Sequence, residues 1–179
     1  MQERQLRNVA LVGFMGTGKT TIGRLVARQL GFELVDTDHL IEERSGESIP
    51  SLFARHGEPV FRDLERRVLD ELADRTGLVI ATGGGLVCQP GNLDHLRQHA
   101  LIFCLWATPE TIWQRVGHQT HRPLLQVPDP QAEIARLLAL REPWYRQADV
   151  LVNSGLRTPR EVASLIAHQF QQATAPAAA

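Results

Sequence analysis

Val9-Ala10-Leu11-Val12 runs directly into Gly13-Phe14-Met15-Gly16-Thr17-Gly18-Lys19-Thr20, and Thr21-Ile22-Gly23-Arg24 follow. Four apolar residues bounded by a glycine-rich turn read as a buried strand, and the stretch IGRLVARQLG beyond reads as a helix stopped at Gly31. Residues 13–20 fit the pattern GxxxxGK[ST] in the context it requires, after a strand and opening a helix. Backbone N–H groups then turn inward on a phosphate chain, at the positive end of the helix. The pattern lets Lys19 reach the β and γ phosphates and Thr20 ligate Mg²⁺. Gly13, Gly16, Thr17, Gly18, Lys19, Thr20 and Thr21 are the candidate residues for a nucleoside triphosphate; a ligand-free glycine turn is the alternative.

Downstream, the pattern of strand then helix repeats. A strand over 32–35 ends at Asp36-Thr37-Asp38. Carboxylates two apart on an extended chain point the same way, here toward the crevice above the phosphate loop, although a solvated turn or a helix N-cap would use the same residues. Helical sequence follows, broken near Gly46 and Pro50. From Pro59, Val60, Phe61, Leu64, Val68, Leu69 and Leu72 mark an amphipathic helix with Arg62 and Glu65 near its start. An apolar run over 78–81 breaks into Thr82-Gly83-Gly84-Gly85, either a tight turn or a backbone bare enough for a ligand to approach. A run over 101–106 stops before Thr108-Pro109, an N-cap with proline at the first helical position. The polar, proline-rich segment 117–130 (GHQTHRPLLQVPDP) predicts a mobile lid. A long helix to about residue 147, a strand over 150–152 and a last helix opened by Thr158-Pro159-Arg160-Glu161 complete the pattern. In that last helix the apolar stripe is Val162, Leu165, Ile166 and Phe170. Five strands alternating with helices predict an α/β fold: one three-layer α/β/α domain over 1–172 with a five-stranded parallel sheet and a disordered tail over 173–179.

Composition narrows the function. At 43% apolar and 22% charged the 179-residue chain is ordinary globular sequence, and a net charge of −1 provides no cationic field for nucleic acid or anionic membranes. Lys19 is the only lysine, so no NKxD segment exists and a guanine-selective switch protein is excluded. The DxxG string at Asp74 to Gly77 reads as a helix-terminating turn. Cys88 and Cys104 lack metal-ligand spacing and read as reduced, buried thiols. The opening MQERQLRNVALVGF has no signal-peptide core, which together with the absence of a long apolar run predicts a cytoplasmic protein. Trp106, Trp113 and Trp144 read as packing residues, and His118 and His121 as a solvated pair.

Taken jointly, GFMGTGKT, the DTD of 36–38, the FRDLE of 61–65, the GGG of 83–85, the RPLL of 122–125 and the REPWY of 141–145 resemble one family, the shikimate kinases, over nearly the whole chain. The resemblance implies transfer of the γ-phosphoryl of ATP, with Mg²⁺, to the 3-hydroxyl of shikimate in chorismate and aromatic amino acid biosynthesis. It implies that Arg62 and Arg141 hold the acceptor carboxylate and that Asp38 binds ring hydroxyls and is the candidate base. Gly83, Gly84 and Gly85 then give backbone contacts, Gly84 first, while Glu65 orients an arginine and Asp36 sits beside the metal with Thr20. Lys19 and the lid's Arg122 become the charge-stabilising catalytic residues, and Arg115, Arg157 and Pro159 match adenine-contacting positions. Asn153-Ser154 stands where many relatives are more acidic. A kinase for another hydroxy acid such as gluconate, or a noncatalytic ATP-binding module, are the alternatives, and a monomer is expected.

Overall fold

Alternate residues of a strand face opposite ways, so a strand buried on both sides needs apolar residues throughout. The strand leading into the glycine loop meets that demand: Val9 and Leu11 enter one core, Ala10 and Val12 the other, all at 0% exposure. In the computed structural model, which describes residues 4–118 and 127–175, this strand is β1 (Asn8–Val12). It lies at the centre of a parallel sheet with β2 (Glu33–Asp36), β3 (Leu78–Ala81), β4 (Ala100–Trp106) and β5 (Val150–Asn153), in the order β2-β3-β1-β4-β5. Register is continuous across the centre, Leu11 lying opposite Ala81 of β3 and Phe103 of β4.

Helix α1 (Lys19–Leu30) and α7 (Pro159–Thr174) cover one face, where Ile22, Val26, Val162, Ile166 and Phe170 pack on Val9, Leu11, Val79 and Phe103. The other face carries α3 (Ile49–Ala73), α4 (Asn92–Arg97), α5 (Pro109–Val116) and α6 (Pro130–Tyr145). Short α2 (Thr37–Ser45) lies between β2 and α3. The expected caps form. Gly31 closes α1 in the left-handed region, Thr108 caps α5, and Thr158 and Glu161 make a reciprocal capping box on α7.

The structure corrects several sequence expectations. Asp38 does not continue an extended strand; it sits in the first turn of α2, with Asp36 as the N-cap accepting its N–H at 3.2 Å. The helix expected from Pro59 forms as the second segment of α3; an additional first segment from Ile49 precedes it, and the two are divided at Gly57 (φ 78°, ψ 173°), because Pro59 lacks a donor and its ring crowds the preceding turn. Val60 is 43% exposed and falls outside the apolar stripe. Trp106 and Trp144 are exposed, at 43% and 37%, rather than core residues, and Cys88 is only half-buried. Helix α4 was not legible in the sequence, and α7 runs to Thr174, past the boundary expected at 172. Most of the expected lid, 119–126, including His121 and Arg122, and the tail end 176–179 lie outside the described residues. Among the described residues, no helix is long and apolar enough to cross a membrane.

The end of the sheet opposite the loop is fastened by polar groups. Buried Asn8 donates through Nδ2 to Arg75 O (2.9 Å) and His99 Nδ1 (3.0 Å) and accepts the Leu78 N–H at 2.9 Å. His99, 1% exposed, is therefore an acceptor at Nδ1 and neutral. Burial, with help from His95 and Arg7, pulls its pKa down from 6.5 to about 4. A depressed folded-state pKa means stability that is intact above pH 6.5 and is lost as pH falls toward 4. Urea titrations should show His99→Asn flattening the stability profile in that window relative to wild type, by at most about 1.4 kcal/mol per pH unit.

Candidate active site

At the carboxyl end of β1 the chain must turn sharply beside β4. Gly13 has φ 129°, and a Cβ there would lie 2.2 Å from Leu105 O, so the loop passes where only glycine fits. Gly16 and Gly18 also have positive φ. Buried Thr17 donates to Phe14 O at 2.8 Å, so its hydroxyl braces the loop from within. The Lys19 ammonium lies over the loop, donating to Gly13 O (2.8 Å) and Phe14 O (2.9 Å). Exposed Thr20 donates to Asp36 Oδ2 at 2.7 Å, and Thr21 lines the same space. The Thr20 hydroxyl beside the Asp36 carboxylate forms an oxygen pair of the kind that Mg²⁺ prefers.

The acceptor side is assembled from distant segments around Gly83 to Gly85. A Cβ on Gly83 would lie 2.4 Å from Asp38 Oδ1, one on Gly84 3.6 Å from Arg141 Nη1 and 3.5 Å from Met15 N, and one on Gly85 3.4 Å from Arg62 Nη1. Asp38, Arg62 and Arg141 thus converge on a bare backbone that also abuts the phosphate loop. Gly83 departs from expectation: its N–H is bonded to the buried Thr37 hydroxyl (2.9 Å) and its carbonyl to Leu86 N (3.2 Å). Gly84 lines the cleft, and among the described residues no protein acceptor is bonded to its N–H.

Arg62 is held on two sides, by Glu65 Oε2 at 2.8 Å and by Glu58 Oε1 at 2.7 and 3.0 Å. Glu65 is 1% exposed, and burial raises its pKa against the opposing pull of Arg62. Arg141 lies over the Phe14 ring at 5.4 Å. Arg115 donates to Gly16 O (3.1 Å), Ser154 O (2.7 Å) and Ser154 Oγ (3.4 Å), pinning the loop to the end of β5. Pro159 lines the cleft; Arg157 is exposed and does not. Phosphate loop and acceptor residues share one cleft of about 1350 Å³. That exceeds the few hundred to about 1,000 Å³ usual for a single small ligand, and is room for two substrates end to end.

This is the architecture of a small phosphoryl-transfer enzyme with an anionic acceptor, and comparison with known proteins agrees. A family model described as shikimate kinase matches residues 15–171. The chain belongs to the shikimate kinase family. A shikimate kinase of Thermodesulfovibrio yellowstonii is 42% identical over 167 residues, 93% of this chain and 96% of the relative. The solved shikimate kinase of Acinetobacter baumannii, described as in complex with shikimate, superposes with a TM-score of 0.89 at 40% identity, covering 96% of each chain. A gluconokinase from Sinorhizobium meliloti shares the fold alone, at 16% identity and TM-score 0.60 over 95% of each chain.

One site residue escaped the sequence reading. Tyr145, the only tyrosine in this kinase, is buried and donates to Gly84 O at 2.6 Å. It joins helix α6 to the glycine segment. The signal was its place four residues after Arg141, one helical turn along the same face. Tyr145→Phe leaves the Gly84 carbonyl unpaired and should destabilise the fold by about 1–3 kcal/mol, read as a lower urea midpoint.

Proposed function

We propose that this chain transfers the γ-phosphoryl of ATP to the 3-hydroxyl of shikimate, giving shikimate 3-phosphate and ADP, as a cytoplasmic monomer serving chorismate and aromatic amino acid biosynthesis. The observation that carries the reading is the convergence of two guanidinium groups and one carboxylate on the glycine backbone beside the phosphate loop. An acceptor bearing one carboxylate and several hydroxyls matches that set: Arg62 and Arg141 take the carboxylate, Asp38 the hydroxyls, and the Gly84 N–H a further oxygen.

In the transfer, the acceptor oxygen forms a bond to the γ-phosphorus, the bond to the ADP oxygen breaks, and the hydroxyl proton leaves toward Asp38. Because phosphoryl transfer passes through a loose transition state, positioning and charge stabilisation contribute more than proton abstraction. Lys19 over the loop and the loop N–H groups neutralise the phosphates, and Asp38 is a positioner first. Mg²⁺, held by Thr20 with Asp36 beside it, would supply further neutralising charge. By the family resemblance, Arg122 supplies charge to the transferring group.

The test is a coupled ADP-release assay with Mg²⁺ and ATP, comparing shikimate, gluconate, nucleoside monophosphates and no acceptor. Turnover is expected with shikimate; turnover with gluconate instead would overturn the acceptor assignment, and ATP binding without transfer would overturn the enzyme. In the same assay Arg62→Ala or Arg141→Ala should raise the shikimate KM by roughly 10- to 100-fold, the loss of charged hydrogen bonds, with the ATP KM nearly unchanged. Arg122→Ala should lower kcat by about a hundredfold or more with little change in shikimate binding, as expected for an interaction made in the transition state.

A further inference from the structure

The two carboxylates on Arg62 are not equivalent. Glu65, 1% exposed, holds Nη1 from the protein side, on the flank where Gly85 approaches. Glu58, 60% exposed and lining the cleft, covers the other edge, taking both Nε and Nη2 on its Oε1. The Nε/Nη2 edge is one with which a guanidinium makes paired hydrogen bonds to a carboxylate. If Arg62 binds the acceptor's carboxylate, as proposed above, that edge is already filled by a carboxylate of the protein.

We propose that Glu58 is a built-in stand-in for the acceptor's carboxylate, occupying Arg62 until an anionic acceptor displaces it, and thereby a determinant of acceptor affinity. The exchange is isoelectric at Arg62, so the guanidinium is never left unpaired in the half-buried wall of the cleft. Glu58 leaves easily because it is exposed, and exposed ion pairs are weak. Its backbone position also suits the carboxylate once it is released. It follows the break at Gly57 and precedes Pro59, placing it at the start of the second segment of α3, where the positive end of a helix favours a carboxylate. An acceptor without a carboxylate has nothing to exchange and meets Arg62 closed.

This inference rests on the shikimate reading, and its sign is decisive. Glu58→Gln and Glu58→Ala, both at an exposed position, should lower the shikimate KM about two- to fivefold, the release of a weak exposed pair, with kcat and the ATP KM unchanged. The methyl ester of shikimate, which cannot replace Glu58 as a carboxylate on Arg62, should gain less than shikimate from either substitution in calorimetric titration. A shikimate KM that rises or stays fixed overturns the proposal, a rise marking Glu58 as a support for Arg62 instead. Equal gains for shikimate and its ester overturn it as well. Wild-type enzyme that turns over no shikimate overturns the underlying reading and this inference with it, whereas turnover with an unmoved KM overturns this inference alone.

Discussion

The buried hydrogen bond from the Gly83 N–H to the Thr37 hydroxyl is short in space, 2.9 Å, and long in sequence, 46 residues. It holds the start of α2, and with it Asp36 and Asp38, against the glycine segment. Thr82, one residue earlier, fixes that segment to β1 by giving both its N–H and its hydroxyl to Leu11 O, at 3.0 and 3.1 Å. Tyr145 then draws in α6 through Gly84 O. Four hydrogen bonds on three successive residues therefore set where Asp38, Arg141 and the phosphate loop stand relative to one another. None of the four is a ligand contact. The cleft can hold its shape because these donors and acceptors are spent inside the protein, where an unpaired group would cost about 1–3 kcal/mol.

Charge is handled by the same logic. A buried ion such as Glu65 is tolerated only with a partner, and Arg62 is that partner. Such a pair contributes little net stability, since desolvation offsets attraction, but it fixes the direction of the guanidinium. The pull of burial on Glu65 and the counter-pull of Arg62 are the two sides of this balance. Arg141 uses a different support, the Phe14 face, and stands beside Gly84 with no ion pair to a carboxylate among the described residues.

Much of this was legible in the sequence where one local rule decides the outcome. The phosphate loop, the Gly31 stop and the Thr158 capping box are short-range devices, and the strands 78–81 and 101–106 are apolar because both faces of the sheet are covered. Arg62 and Arg141 were legible only as part of a pattern of motifs, since an arginine on a helix is as often solvated. The misses have physical causes. The carboxylates of 36 and 38 do not share a strand because Asp36 prefers to cap α2, a choice that the alternation rule ignores. Trp106 is exposed at the last position of β4, and Trp144 is exposed near the end of α6, where composition alone does not tell a packing residue from a surface one. Tyr145 and Thr37 act through contacts 61 and 46 residues away, which no local pattern encodes.

The use of one lysine among nineteen basic residues follows from what each cation must do. Arg62 satisfies two carboxylates at once, and Arg115 satisfies three acceptors on two elements. Only a planar fork with five donors does either, and its rigidity is what makes these contacts positional. The phosphate loop sets the opposite requirement. There a cation must sit over backbone carbonyls and then follow a phosphoryl group between two oxygens, a task for a compact ammonium on a flexible stem with three rotatable donors. Lys19, donating to Gly13 O and Phe14 O across the loop, has that freedom. An arginine there would carry the same charge, but its flat, wider head would have to lie against the loop carbonyls in a fixed plane, and the cradle is too close to the backbone of β4 to give way.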